Sequence, residues 1–139
     1  MATAALDLGE RRIGIAVTDA NGMSVHPLRT LERRSFEADL QAIRNALGSR
    51  EIDCLVVGLP LNMDGSEGPM ARHARNLAAR LGDALGLEVK FQDERLSSFE
   101  AGNRLGGSMR RRKKKPPIDA VAAVVILEDY LKMKQSGRA

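Results

Sequence analysis

Asp7 interrupts an apolar stretch, Ala4-Ala5-Leu6-Asp7-Leu8, and puts a carboxylate where a strand would carry only hydrocarbon. Successive strand residues point to opposite faces, so if Leu6 and Leu8 face a core, Asp7 faces away from it. On a sheet covered on both faces that position is partly buried, and an unpartnered buried carboxylate is costly. A cation would offset the cost; so would an ion pair with Arg11 or Arg12, or a wet sheet face. Two further acids, Asp93 and Glu94, follow directly on a predicted strand at residues 88–92. Being adjacent, they point to opposite faces, and only one can readily meet Asp7. Asp119 lies just behind Pro116-Pro117, in the first turn of a predicted helix, where the helix dipole alone would favour an acid. Together the acids make a plausible oxygen-ligand cluster for a hard cation, Mg²⁺ or Mn²⁺. One cysteine, Cys54, and two histidines, His26 and His73, supply no competing zinc set. Two hard cations close together can activate a water and stabilise the leaving oxygen of a phosphodiester, so these carboxylates suit hydrolysis of nucleic acid.

A second feature fits a polyanionic substrate. Arg110-Arg111-Arg112-Lys113-Lys114-Lys115 is an uninterrupted basic run between Gly106-Gly107-Ser108 and Pro116-Pro117. The chain carries a net charge of +4, so without these six charges the remainder is mildly acidic. Such a run repels itself and is expected to form a mobile loop at about residues 106–117, able to grip phosphates with a steep salt dependence. The alternative is a merely solvated charged loop.

The elements that must position these residues follow from the apolar pattern. Residues 4–8 and 13–18 read as two strands joined by a turn at Gly9-Glu10-Arg11, the pattern of a β-hairpin. Residues 26–31 read as a third strand, which Pro27 confines to an edge. Ser35 caps a helix expected to reach about Arg50, with Phe36, Leu40, Ile43 and Leu47 at helical spacing. The continuous apolar run at 54–58 suits a central strand buried on both faces. A turn-rich loop, a helix at 69–85, the strand at 88–92, a short helix at 98–105 and a last helix at 118–134 complete the order. The expected apolar stripe of that last helix is Ile118, Val121, Ala122, Val125 and Tyr130 or Leu131. Three antiparallel strands followed by strand–helix alternation predict an α/β fold, a mixed sheet with helices on both faces. Function in such sheets collects at the carboxyl ends of the parallel strands.

The 139 residues, 43% hydrophobic and 29% charged, have the size and composition of one globular domain. The longest apolar run, residues 120–127, is far too short to span a bilayer. The first residues lack the basic stretch of a signal peptide, and the expected location is cytoplasmic.

Four segments also carry a resemblance. Leu6-Asp7-Leu8-Gly9 with Arg12-Ile13-Gly14-Ile15-Ala16-Val17, and Val57-Gly58-Leu59-Pro60-Leu61-Asn62-Met63-Asp64-Gly65-Ser66, look like motifs of the YqgF family. So do Asp93-Glu94-Arg95-Leu96-Ser97 and Ile118-Asp119-Ala120-Val121-Ala122-Ala123. That family is Holliday-junction-resolvase-like, and its members are also described as pre-16S ribosomal RNA nucleases. The match runs nearly end to end and in order. It implies a ribonuclease H-like five-stranded sheet, catalytic and metal-holding acids at Asp7, Glu94 and Asp119, and Glu94 rather than Asp93 as the middle acid.

The leading expectation is a divalent-metal nuclease acting in 5′-end maturation of pre-16S rRNA, with resolution of branched DNA as the alternative within the same chemistry. Arg11, Arg12 and Arg95 beside the acids, and Asn62 and Ser66 in the glycine-rich loop at 58–68, are candidate nucleic-acid contacts. Three Phe, one Tyr and no Trp argue for backbone recognition over base stacking. Two other classes compete. An opening Asp-x-Gly hairpin also occurs in actin-like ATPases, which need a second lobe; a non-catalytic RNA- or ribosome-binding module would need only the basic run. The expected assembly is a monomer or homodimer.

Overall fold

In the computed structural model, residues 1–94 and 118–135 are described, with residues 118–120 described by their backbone alone. Strands β1 (Ala2–Leu8), β2 (Arg12–Thr18) and β3 (Val25–Glu32) come first, followed by helix α1 (Phe36–Leu47) and strand β4 (Ile52–Leu59). Helix α2 (Pro69–Leu85), strand β5 (Glu88–Asp93) and helix α3 (Ile118–Gln135) complete the described chain. The helix expected at 98–105 and the basic run lie outside the described residues.

The strands form one mixed sheet in the order β3-β2-β1-β4-β5. β1 pairs antiparallel with β2, and β2 with β3, whereas β4 runs parallel to both β1 and β5. This is the expected mixed five-stranded α/β sheet with its first three strands antiparallel. β3 is an edge strand, as Pro27 requires, because proline has no N–H for a second ladder. Its tight connection to the hairpin is reinforced where Arg33 N–H donates to Arg11 O at 2.8 Å.

Strand alternation divides the interior into two cores. Leu6, Leu8, Ile13, Ile15, Leu55 and Val57 face α1 and α2, meeting Ile43 and Leu47 from one and Leu77 and Leu81 from the other. The opposite face carries smaller side chains, Ala5, Ala16, Cys54 and Val56, and packs against Ala123, Ile126, Leu127 and Tyr130 of α3. Small residues let the helix lie close to the strands. Ile126 and Leu127 are fully buried there, each contributing roughly 1.5–3 kcal/mol of burial. Burial also raises the pKa of the Cys54 thiol, which is a core residue.

Two sequence expectations are corrected. The stripe of α3 that meets the sheet is Ala123, Ile126, Leu127 and Tyr130, with Val125 also buried, whereas Val121 and Ala122 are only half-buried. The helix is apolar on nearly every side, so spacing alone could not select its inner face. Helix α1 ends at Leu47 and not near Arg50, because Gly48 takes φ +61° and its N–H returns to Arg44 O. The start was legible: the Ser35 side chain accepts from Ala38 N at 3.1 Å.

Candidate active site

Because β1, β4 and β5 are parallel, their carboxyl ends come together at one rim of the sheet. Asp7 is the penultimate residue of β1, Gly58 the penultimate residue of β4, and Glu94 follows β5 directly. The register sets a row of positions across the α3 face. Thr30 pairs with Gly14, and Gly14 pairs with Asp7. Leu6 pairs with Val57, which carries the row on to Gly58. Asp7 thus has a glycine on each side.

Glu94 reaches this row. Its carboxyl group hydrogen-bonds with that of Asp7, and burial raises its pKa above the ordinary glutamate value, a shift the bond to Asp7 partly offsets. Two carboxyl groups can share a hydrogen bond only while one of them carries a proton. Room for the contact comes from Gly58: a Cβ built there would lie 3.1 Å from Glu94 Cδ and Oε2, and 2.6 Å from Ile126 Cδ1 of α3. Gly58 therefore has a spatial reason that its sequence neighbourhood concealed, since it reads there as the end of a strand and the first residue of a turn-rich loop. Asp93 projects from the other face by strand alternation, the side on which Phe91 packs.

Asp119 stands in the first turn of α3, the helix that covers this same face. Its side chain, with Arg95 and Arg110-Arg111-Arg112-Lys113-Lys114-Lys115, lies outside the described residues. Arg11 and Arg12 are exposed in the hairpin beside Asp7. Asn62 and Ser66 sit in the loop after β4 and bond to one another, Asn62 Nδ2 donating to Ser66 Oγ at 3.0 Å. Ser66 Oγ in turn donates to Asp64 Oδ1 at 2.6 Å. These bonds shape the loop, whose Gly65 has φ +90°.

The paired oxygens suit a hard divalent cation, whose charge would offset bringing the two carboxyl groups together. Among the described residues no third His, Cys, Asp or Glu completes such a cluster.

An antiparallel hairpin leading into parallel strands, with helices on both faces of the mixed sheet, defines a ribonuclease H-like fold. The structure of Thermus thermophilus RuvC superposes with a TM-score of 0.66 at 13% identity, covering 100% of this chain and 98% of that one. RuvC from the same organism in complex with a Holliday junction substrate gives 0.68 at 12% identity over the same shares. At that identity the likeness is one of fold. The sequence goes further: residues 1–133 match the family model "RuvX: Holliday junction resolvase", and the chain belongs to that family. A protein of Anaeromyxobacter sp. (strain K) named "Putative pre-16S rRNA nuclease" is 48% identical over 132 residues, spanning 94% of this chain and 96% of the relative. A protein of the same name from Picosynechococcus sp. is 41% identical over 136 residues, 97% and 94% of the two chains. The protein is thus an enzyme of a nuclease family, acting on nucleic-acid phosphodiesters. None of the described helices is long and apolar enough to cross a membrane.

Proposed function

We propose that this protein is a divalent-metal-dependent nuclease that matures the 5′ end of precursor 16S rRNA. The observation that carries the chemistry is the Asp7–Glu94 carboxyl pair at the carboxyl ends of β1 and β5. Asp7, Glu94 and Asp119 are the residues assigned to hold the metal. Asp119 precedes Ile126 by seven residues, which places both positions on one helical row. Mg²⁺ or Mn²⁺ suits an all-oxygen set; when bound it would polarise a water and the phosphate oxygens. The protein's own part is positional. Gly58 leaves space for the Glu94 carboxyl, Ile126 closes over it, and the two acids meet without a competing side chain between them. Arg11, Arg12 and Arg95 are assigned to the phosphates flanking the cut. The run from Arg110 to Lys115 is assigned to the substrate backbone, within a single domain. A cytoplasmic monomer or homodimer is the corresponding state.

The choice of RNA is supported by the names of the relatives that match most of this chain. A four-way DNA junction is the second reading, favoured by the description of the family.

The test is cleavage of labelled precursor 16S RNA and of a four-way DNA junction with Mn²⁺ or Mg²⁺, comparing wild type with Asp7→Asn. Metal-dependent cutting of the RNA, lost in the variant, is the expected result. Cutting of the junction alone moves the assignment to branched DNA. If neither is cut, or the variant cuts as well as wild type, a non-catalytic RNA-binding role replaces the nuclease reading.

A further inference from the structure

At the same rim of the sheet, but on the face of α1 and α2, a basic cleft begins at the residue after Asp7. Two adjoining hollows of about 240 and 460 Å³ share Arg33, Arg34 and His73 as walls. The larger is bounded by Leu8, Gly9 and Glu10, the residues that directly follow Asp7. The smaller runs on to Arg80, whose guanidinium lies 3.9 Å from the centroid of the Phe36 ring. Arg33 is fixed in place. Its Nη1 donates to Gly9 O at 2.9 Å, and its Nη2 is 3.4 Å from His73 Nε2.

The positive charge in this cleft is not spent internally. The ion pair described in the molecule joins Arg75 to Glu67; among the described residues Arg33, Arg34 and Arg80 have no such partner. Two acids line the walls. Asp39 is buried and its Oδ1 accepts from Arg34 N at 3.0 Å, while Glu10 is exposed at the turn. The first turn of α2 adds to the cleft through Met70 and His73. That helix starts at Gly68 with no side-chain cap and no acid in its first turn, so its positive end stays available to an anion.

Three arginines and a helix end spread over two connected hollows suit a chain of phosphates better than a single anion. Two strand residues span about 7 Å, so a strand seated at Asp7 and Glu94 passes directly onto the Gly9–Arg33 end of the cleft. We propose that the Arg33–Arg34–His73–Arg80 cleft binds the phosphate backbone of the nucleic-acid substrate on one side of the bond cut at Asp7 and Glu94. The assignment of a cut at that pair rests on the nuclease reading; the cleft's affinity for a phosphate backbone does not.

The test leaves Arg33 alone because it also holds the hairpin turn, and uses Arg34→Gln with Arg80→Gln in the full chain. Binding of a labelled single-stranded RNA and a labelled four-way DNA junction is titrated in EDTA over a range of salt. Loss of two phosphate contacts should make the slope of log K against log salt shallower by about 1.4 for a single strand, with weaker binding at every salt. Arg34→Lys with Arg80→Lys should keep most of that slope. An unchanged slope in the glutamine variant overturns the proposal, provided its thermal unfolding matches wild type. If Asp7→Asn abolishes cutting in Mn²⁺ while that slope is unchanged, the cleft is refuted and the nuclease reading stands. A shallower slope in a protein that cuts neither substrate leaves the cleft as a nucleic-acid site and refutes the nuclease reading.

Discussion

Asp7 lies in β1 and Glu94 directly follows β5, with β4 between those strands, yet their carboxyl groups hydrogen-bond, because Gly58 contributes no side chain between them. The closest approaches are 3.1 Å from the missing Cβ to Glu94 and 2.6 Å to Ile126 Cδ1. A glycine in the interior of a buried strand is normally a weakness. Here it is the space in which the acids meet.

Gly58→Ala should therefore destabilise the fold by about 1–3 kcal/mol through overpacking and also displace Glu94. Adding Ile126→Val removes the tighter of the two clashes but not the one with the carboxyl. Urea unfolding of the double variant should recover most of the lost stability, while cleavage of the substrate stays impaired. Full cleavage by the double variant would show that the space serves packing alone.

The acid pair also predicts a pH dependence. Burial raises the Glu94 pKa above its ordinary 4.5, so the native state holds that proton more tightly than the unfolded chain does. The resulting stabilisation is complete below the unfolded value and is lost as pH rises through the raised native value. Glu94→Gln keeps a donor towards Asp7 and never ionises. In EDTA, its melting temperature should gain on wild type as pH is raised from about 5 to about 8. Mn²⁺ added at the upper end should raise the melting temperature of wild type and leave that of the glutamine variant nearly unchanged. Parallel pH curves for the two proteins would contradict a raised Glu94 pKa.

Thr30 stands at the other end of the row, across Gly14 from Asp7, and its Oγ1 is buried with no hydrogen-bond partner among the described residues. Dehydrating a hydroxyl without a compensating bond carries a cost, and valine matches its shape and suits a strand better. Thr30→Val should raise stability by about 1 kcal/mol, read as a higher urea midpoint at constant slope. A loss of stability would mean that the hydroxyl is satisfied, for instance by a bound water.

Ser35→Ala should cost about 1 kcal/mol, since the serine accepts the N–H of Ala38 at the start of α1. Ser35→Asp should restore it. Chemical unfolding of the three proteins is sufficient; equal stability of alanine and serine would show that Asp39, bonded to Arg34 N, caps this end unaided.

Much of this architecture is written in local chemistry. Leu6-Asp7-Leu8 declared both a strand and an acid facing away from its neighbours, Pro27 declared an edge, and Ser35 declared a helix start. What local chemistry could not convey was depth. The bounds of β4 extend to Ile52–Leu59, so Gly58, expected as the last residue of that strand, lies one residue inside its end. Alternation left Asp93 and Glu94 equivalent until the strand was set beside β4. The inner face of α3 was hidden because residues 120–127 are all apolar. The cleft was hidden for a different reason: Arg33 is far in sequence from His73 and Arg80, and only the packing of α1 and α2 on one face sets them along adjoining hollows. His73, which suggested nothing by itself, acquires a role solely through Arg33.

The glycines on both sides of Asp7 have a consequence for how this site can be altered. Its carboxylate is bordered along the row by peptide groups instead of side chains, so neither flanking strand position offers a side chain to exchange. Any larger residue at Gly58 fills the space first. Adjustment can come through α3, whose Ile126 reaches the same space beside Gly58 as the Glu94 carboxyl. An engineer wishing to reposition the Glu94 carboxyl would thus vary the helix and leave the sheet alone.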